Sequence, residues 1–274
     1  MSESFRALLH RHRSIREFKH ENVPADLLDE VLADSIRGSS SSGNLNTYSI
    51  VVSRDAQRRN TLCDLHQGQP MVRQAPVLLT FCADTRRTRD WLALNGARDN
   101  FDNFMGFMVA AFDAIILAQT VSLALEDRGL GICYMGTTLN QADRISEFLE
   151  LPEGVMPVTT LVVGWPDESP DARDRLPLAA YVHAERYQRH SDEAIHRLYA
   201  ARESRGRQRY QAMGPGMAAL WAEHGIENLA QFYTSPIKYS PEALRSVSRR
   251  LLALLPRQAF MHHPDDVPAE PEAG

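Results

Sequence analysis

The stretch from Phe104 to Leu125, FMGFMVAAFDAIILAQTVSLAL, constrains the fold more than any other. It is apolar nearly all round, and a helix of that kind has to be covered on every side. Asp113, Gln119, Thr120 and Ser122 interrupt it. It therefore reads as a buried central helix over roughly 101–128 rather than a membrane span. Gly129-Leu130-Gly131 is its stop signal. A chain of 274 residues is long enough to bury such a helix in one sizeable core.

The surrounding patterns supply the rest of that core. Phe5, Leu8, Leu9 and His12 share a helical face behind Ser4, a candidate N-cap. A second helix spans about 24–37, with Pro24 in its first turn, an apolar stripe at Leu27, Leu28, Val31, Leu32 and Ile36, and Gly38 as its stop. Strands are predicted at Tyr48–Ser53, Pro76–Cys82, Ile132–Met135 and Val158–Gly164, and helices at about 55–66 and 141–149. The run PVLLTFC suits a strand covered on both faces. Further helices are expected near 191–205, 217–224 and 241–254. Helices first, then strands alternating with helices, define an α+β or α/β domain. The acidic, Pro-rich last dozen residues read as a disordered tail.

Lys plus Arg total 30 against 35 for Asp plus Glu, a net charge of −5 that leaves no global footprint for nucleic acid. Cys63, Cys82 and Cys133 are odd in number and widely spaced, so neither a disulfide framework nor a zinc site is indicated. His10 with His12, and His262 with His263, lack carboxylate or thiol partners at metal-ligand spacing. No metal is expected. The charged start lacks the apolar region of a signal peptide, and the expected compartment is the cytoplasm, without membrane contact.

Chemistry concentrates at Arg11-His12-Arg13-Ser14-Ile15-Arg16. Guanidinium groups pair with phosphate oxygens in a bidentate way, and a hydroxyl adds a hydrogen bond. The same residues also suit a solvated basic helix end. The Ser39–Asn46 run is either a linker or a loop whose small residues let the backbone approach a ligand.

RHRSIREF resembles the N-terminal signature of the nitroreductase family of FMN-dependent flavoproteins. The later motifs follow in the family's order: SSSSGNLN at 39–46, Gly68-Gln69 before Ala75-Pro76, a strand ending FCAD, GLGICYMG at 129–136, and Gly164-Trp165-Pro166 before Arg173-x-Arg175-Leu176-Pro177. The likeness covers about residues 4–190 and is strongest to the NADPH-preferring branch of oxygen-insensitive nitroreductases and flavin reductases. It implies an α+β fold with a central mixed sheet flanked by helices, in an intertwined homodimer built around the long apolar helix. Residues 1–190 would form the FMN-binding core, 191–262 a helical extension packing on the dimer, and 263–274 the tail.

The resemblance also implies roles. His12, Arg13 and Ser14 match residues that hold the FMN phosphate and ribityl chain. Arg173 and Arg175 match a second cationic pair on that phosphate. Arg16 and Gln69 match positions at the pyrimidine edge that tune the flavin, and Tyr134, Met135, Gly136 and Thr137 match the backbone beside the ring. Ser40, Ser41 and Asn44 match a loop that reaches the flavin from the partner subunit. Arg205 or Arg207 lies where relatives carry a mobile loop with an arginine for the NADPH 2′-phosphate. NADPH or NADH is the implied co-substrate, in a ping-pong hydride transfer through flavin N5 to nitroaromatics, quinones or related acceptors, with no side chain as nucleophile or base. A free-flavin reductase, a reductive dehalogenase and a non-catalytic flavin-binding protein are the alternatives. Two positions depart from the family pattern. Asn46 stands where a glutamine is usual, and Thr137 where close relatives carry a second glycine.

Overall fold

The computed structural model describes residues 4–262, so the tail expected at 263–274 lies outside the described residues. The chain forms two compact units. One runs to Asp171 and resumes at Val247; the other is Ala172–Ser246.

The first unit carries α1 (Phe5–Arg11), α2 (Ala25–Gly38), β1 (Tyr48–Ser53), α3 (Ala56–Leu65), α4 (Pro70–Gln74), β2 (Val77–Asp84), α5 (Arg86–Leu94), α6 (Phe104–Asp127), β3 (Gly131–Met135), α7 (Ala142–Phe148) and β4 (Val155–Gly164). Side chains define several starts by taking N–H groups that a first helical turn leaves unpaired. Ser4 accepts from Ala7, Asp55 from Arg58 and Asn103 from Gly106. Pro24 sits at the N-cap of α2, one place before the first turn.

Among the described residues, four strands form one sheet in the order β1-β2-β4-β3, every pair antiparallel. The mixed character expected of it reduces to one parallel bridge, Ser14 to Ile132. Its two faces carry separate cores, as the side-chain alternation of strands requires. Val77, Leu79, Phe81, Leu161 and Val163 face α2 and α6; Leu78, Cys133, Met135 and Val162 face α3, α4, α7, Ile15 and Phe18. All eight residues of β2 are buried, as its continuous apolar run predicts.

The central helix is buried on one side by Ala114, Leu117, Ala118, Val121 and Leu125. Its other side leaves Phe104, Met105, Phe112, Ile115 and Ile116 exposed. It is long and apolar enough to cross a membrane by length and composition, but half of it is core. Asp113, buried in its middle, accepts from the hydroxyls of Ser41 (2.6 Å) and Thr47 (2.9 Å) and from the N–H of Ser42 (3.0 Å).

The second unit holds α8 (Asp192–Gln211), α9 (Pro215–Glu223), α10 (Leu229–Tyr233) and the start of α11 (Pro241–Arg257). Trp221, Ile226, Leu229 and Phe232 make its small core. Helix α8 continues past the expected end near 205. The segment RESRGRQRYQ is rich in helix formers, and a Cβ on Gly206 would stand 2.5 Å from Leu229, so this glycine serves close packing rather than a turn. Residues 202–209 are therefore helix, where the relatives' mobile loop is one of two readings of the sequence and a helix end the other.

Candidate functional site

The basic N-terminal segment is held along the sheet by glycines. Gly131 and Gly164 pair across β3 and β4. A Cβ on Gly131 would fall 2.8 Å from Ile15, and one on Gly164 2.9 Å from Phe18. Their bare backbones let residues 14–18 lie against the strand ends, where Ile15 donates its N–H to the Ile132 carbonyl (2.8 Å). The Cys133 thiol registers this closeness. Burial pushes its pKa up while Arg16 and Ser14 pull it down.

Each polar group of the segment has a defined neighbour. His12 Nδ1 lies 2.8 Å from Glu126 Oε2. A carboxylate only accepts, so Nδ1 carries the hydrogen and Nε2 stays available. Arg13 donates to the carbonyls of Arg11 (3.0 Å) and Pro170 (2.9 Å) and to Ser169 Oγ (3.2 Å). These oxygens are neutral, so they aim the guanidinium without cancelling its charge. The N–H groups of Arg16 and Glu17 both donate to the Glu168 carboxylate. An anion therefore already rests on this backbone.

The same strand leads to a second polar cluster. Tyr134 is partly buried, its phenol pushed up to about 12 by desolvation, and its hydroxyl lies 3.3 Å from Gln119 Oε1. Beyond Met135 and Gly136, Thr137 Oγ1 lies 2.9 Å from His66 Nδ1 and 3.2 Å from Gln69 Nε2. Gln69 also donates to the His66 carbonyl (3.3 Å). His66 is fully buried, and desolvation lowers its pKa to about 4, so the ring is neutral near pH 7.

The first unit thus brings His12, Arg13, Ser14, Arg16, Gln69 and Tyr134–Thr137 to elements that touch one another. The Ser40–Asn44 loop is fastened elsewhere, on α6. Ser41 donates to Asp113 and accepts from the Asn46 N–H (2.7 Å), so its hydroxyl serves the loop's own shape. Ser40 is exposed, Asn44 adopts φ +56°, and Asn46 donates to the Asn44 carbonyl (2.8 Å). In the second unit, Arg175 donates to the carbonyls of Arg173 and Asp174 (3.2 Å each), and Asp174 pairs with Arg209. Arg205 and Arg207 stand exposed on α8.

Sequence reasoning missed Glu126, Glu168 and His66. Glu126 had a visible signal, an acid at the end of an apolar helix. The other two carry none, because their partners are distant in the chain.

The neutral buried His66 makes an acid-stability prediction. Its folded pKa is depressed, so between pH 6.5 and 4 the unfolded chain binds a proton that the folded chain refuses. The neutral ring is compatible with the fold above pH 6.5, and stability falls as pH drops toward 4, by about 3 kcal/mol at most. Urea unfolding of wild type and His66→Leu at pH 7 and pH 4 should show the smaller acid loss in the variant. Equal losses would refute the assignment.

A helix-covered antiparallel sheet with a cation-rich segment along its strand ends, in which Arg13 rests on neutral oxygens, defines an α+β protein. The sequence profile of the Nitroreductase family matches residues 9–165. An FMN reductase (NADPH) of Bacillus subtilis strain 168 is 34% identical over 189 residues, covering 68% of this chain and 76% of the relative. An oxidoreductase structure from Bacteroides fragilis NCTC 9343 superposes with a TM-score of 0.83 at 38% identity, covering 93% of this chain and 99% of the other. The NfrA1 nitroreductase structure from B. subtilis gives 0.79 at 26% identity, covering 95% and 100%. The chain belongs to the nitroreductase family.

Proposed function

We propose that this protein is an FMN-dependent NAD(P)H oxidoreductase, favouring NADPH, that delivers two electrons to nitroaromatics, quinones or related acceptors. One observation carries the reading: the His12–Arg16 segment is fixed beside β3 with Arg13 charged and supported only by neutral oxygens. The donor set fits the group. The Arg13 guanidinium is held by neutral oxygens alone, so its charge is left for a phosphate, which pairs with such a group through charge-assisted hydrogen bonds. The family and the relatives' activities support the cofactor assignment.

When bound, FMN supplies hydride acceptance at N5 and onward two-electron transfer. The chain's own residues bind and orient it. Arg13 and Ser14 hold the phosphate and ribityl oxygens, with His12 braced by Glu126. Arg16, Gln69 and the Tyr134–Thr137 backbone line the ring. Arg173 and Arg175 remain the proposed second phosphate pair, and Arg205 or Arg207 the proposed contact to the NADPH 2′-phosphate. Ser40, Ser41 and Asn44 remain assigned to the loop that meets a partner's flavin. No side chain is assigned as nucleophile or base.

The exposed apolar side of α6 supports a homodimer, because association covers what the single chain leaves in water. A core to residue 190, an extension over 191–262 and a cytoplasmic location belong to the same proposal. A second reading, reductase of free flavin, is favoured by the B. subtilis relative, an FMN reductase (NADPH).

Purified protein should absorb near ~450 nm with about one FMN per chain, a property of the cofactor's own ring. NADPH under argon should bleach that band, and a nitroaromatic should restore it. A yellow protein that NADPH cannot bleach would sink the oxidoreductase reading. Turnover with excess free FMN but not with nitroaromatic or quinone would select the second reading.

A further inference from the structure

We propose that His66 is a positioning residue whose ring turns Thr137 into a hydrogen-bond donor, beside the outward acceptor oxygen of Gln69, facing the flavin ring. This rests on the FMN reading above and deepens it.

The inference starts from which atom carries the hydrogen between His66 and Thr137. His66 is neutral and fully buried, so its ring offers one N–H and one lone pair. Its Nδ1 meets Thr137 Oγ1 at 2.9 Å, and its Nε2 is buried without a hydrogen-bond partner. If Thr137 donated to Nδ1, the ring hydrogen would sit on Nε2 as a buried, unused donor. If Nδ1–H donates to Thr137, Nε2 is only an unused acceptor. Orphaned buried donors are the rarer and costlier case. The Nδ1–H tautomer is therefore the one this packing selects.

Gln69 completes the set. Its Nε2 reaches two oxygens, Thr137 Oγ1 at 3.2 Å and the His66 carbonyl at 3.3 Å. A backbone carbonyl only accepts, so the nitrogen faces it and the side-chain oxygen faces away. Thr137 Oγ1 then takes hydrogens from both His66 and Gln69, which fills its two lone pairs. Its own hydrogen has to point out of the cluster, and Thr137 is half-exposed. Two groups are left outward: the Thr137 O–H as donor and Gln69 Oε1 as acceptor. That pattern complements an imide edge, which offers a carbonyl oxygen beside an N–H, as the flavin pyrimidine does. A glycine at position 137 would supply neither the hydroxyl nor the anchor for Gln69.

A donor on a ring carbonyl stabilises the negative charge the ring gains on reduction. Removing it makes reduction harder. The test is the two-electron midpoint potential of FMN bound to wild type, Thr137→Val, Thr137→Ser, His66→Phe and the His66→Phe/Thr137→Val double variant. Thr137→Val should shift the reduction equilibrium about tenfold, a fall of about 30 mV for a two-electron couple. Thr137→Ser should restore the wild-type value. His66→Phe should lower the potential in the wild-type background and add nothing once Thr137 is valine, since it acts through that hydroxyl. Nitrogen-15 NMR of His66 should report hydrogen on Nδ1.

Full FMN occupancy with unchanged potentials overturns the assignment, as does an Nε2–H tautomer or a His66→Phe effect that persists without the hydroxyl. A wild-type protein that takes up no FMN overturns the flavin reading and this assignment together. Thr137 is half-exposed, so its two variants keep the test standing if His66→Phe fails to fold.

Discussion

Arg13→Ala/Arg16→Ala protein is expected to purify without its yellow colour. Arg13 sits on three neutral oxygens, the carbonyls of Arg11 and Pro170 and the Ser169 hydroxyl, so its full charge is available to a dianionic phosphate. Arg16 lies beside β3, close enough to lower the Cys133 pKa against the effect of burial. A charge-assisted hydrogen bond contributes about 1.5–3 kcal/mol, so losing two costs roughly 3–6 kcal/mol of binding. That is at least a hundredfold in affinity. The ratio of flavin to protein absorbance on purification and a fluorescence titration with FMN measure it. Full occupancy in the double variant would mean that these guanidiniums do not hold the cofactor. Arg175→Ala, measured the same way, tests the proposed second pair.

The second large effect lies away from the charges. Asp113→Ala should destabilise the protein by about 3–5 kcal/mol, because removing one buried charged acceptor strands several donors at once. The Ser41 and Thr47 hydroxyls and the Ser42 N–H all converge on that carboxylate. Each then keeps its desolvation cost without its hydrogen bond. Equilibrium urea denaturation gives the change, and the loop 39–47 should become the first segment to exchange its amide hydrogens. Asp113→Asn keeps the shape and one acceptor oxygen, so it should lose less. A loss within 0.5 kcal/mol for the alanine variant would show that the loop does not depend on this anchor.

Much of the frame was readable from the chain. The strand 48–53, the buried strand before FCAD and the central helix all came from local period and composition, and they fall where they were expected. The short helices α4, α5 and α10 were not anticipated. Helices α4 and α10 have five residues each, too few for periodicity to speak, and the nine-residue α5 buries only Thr88. Helix α8 outran its expected end near 205, and the glycine just past that point sits where Leu229 packs against the helix. The candidate site divides in the same way. The basic segment was visible through residue type alone, with a phosphate site and a solvated helix end both open. Its neighbours were not, since Glu126 meets His12 across 114 positions and Glu168 meets Arg16 across 152.

The sequence by itself determined that a helix apolar on all sides needs a partner surface, and that three arginines, a histidine and a serine concentrate positive charge in one short segment. Both follow from the properties of individual side chains, which do not depend on where the chain goes. Only the tertiary structure decided that Asp113 anchors the serine loop, that Arg13 is supported without being neutralised, and that a buried neutral His66 meets Thr137 and Gln69. Those are statements about burial and distance. Hydrogen bonds act over about 3 Å, and only folding brings groups so far apart in the chain within that range.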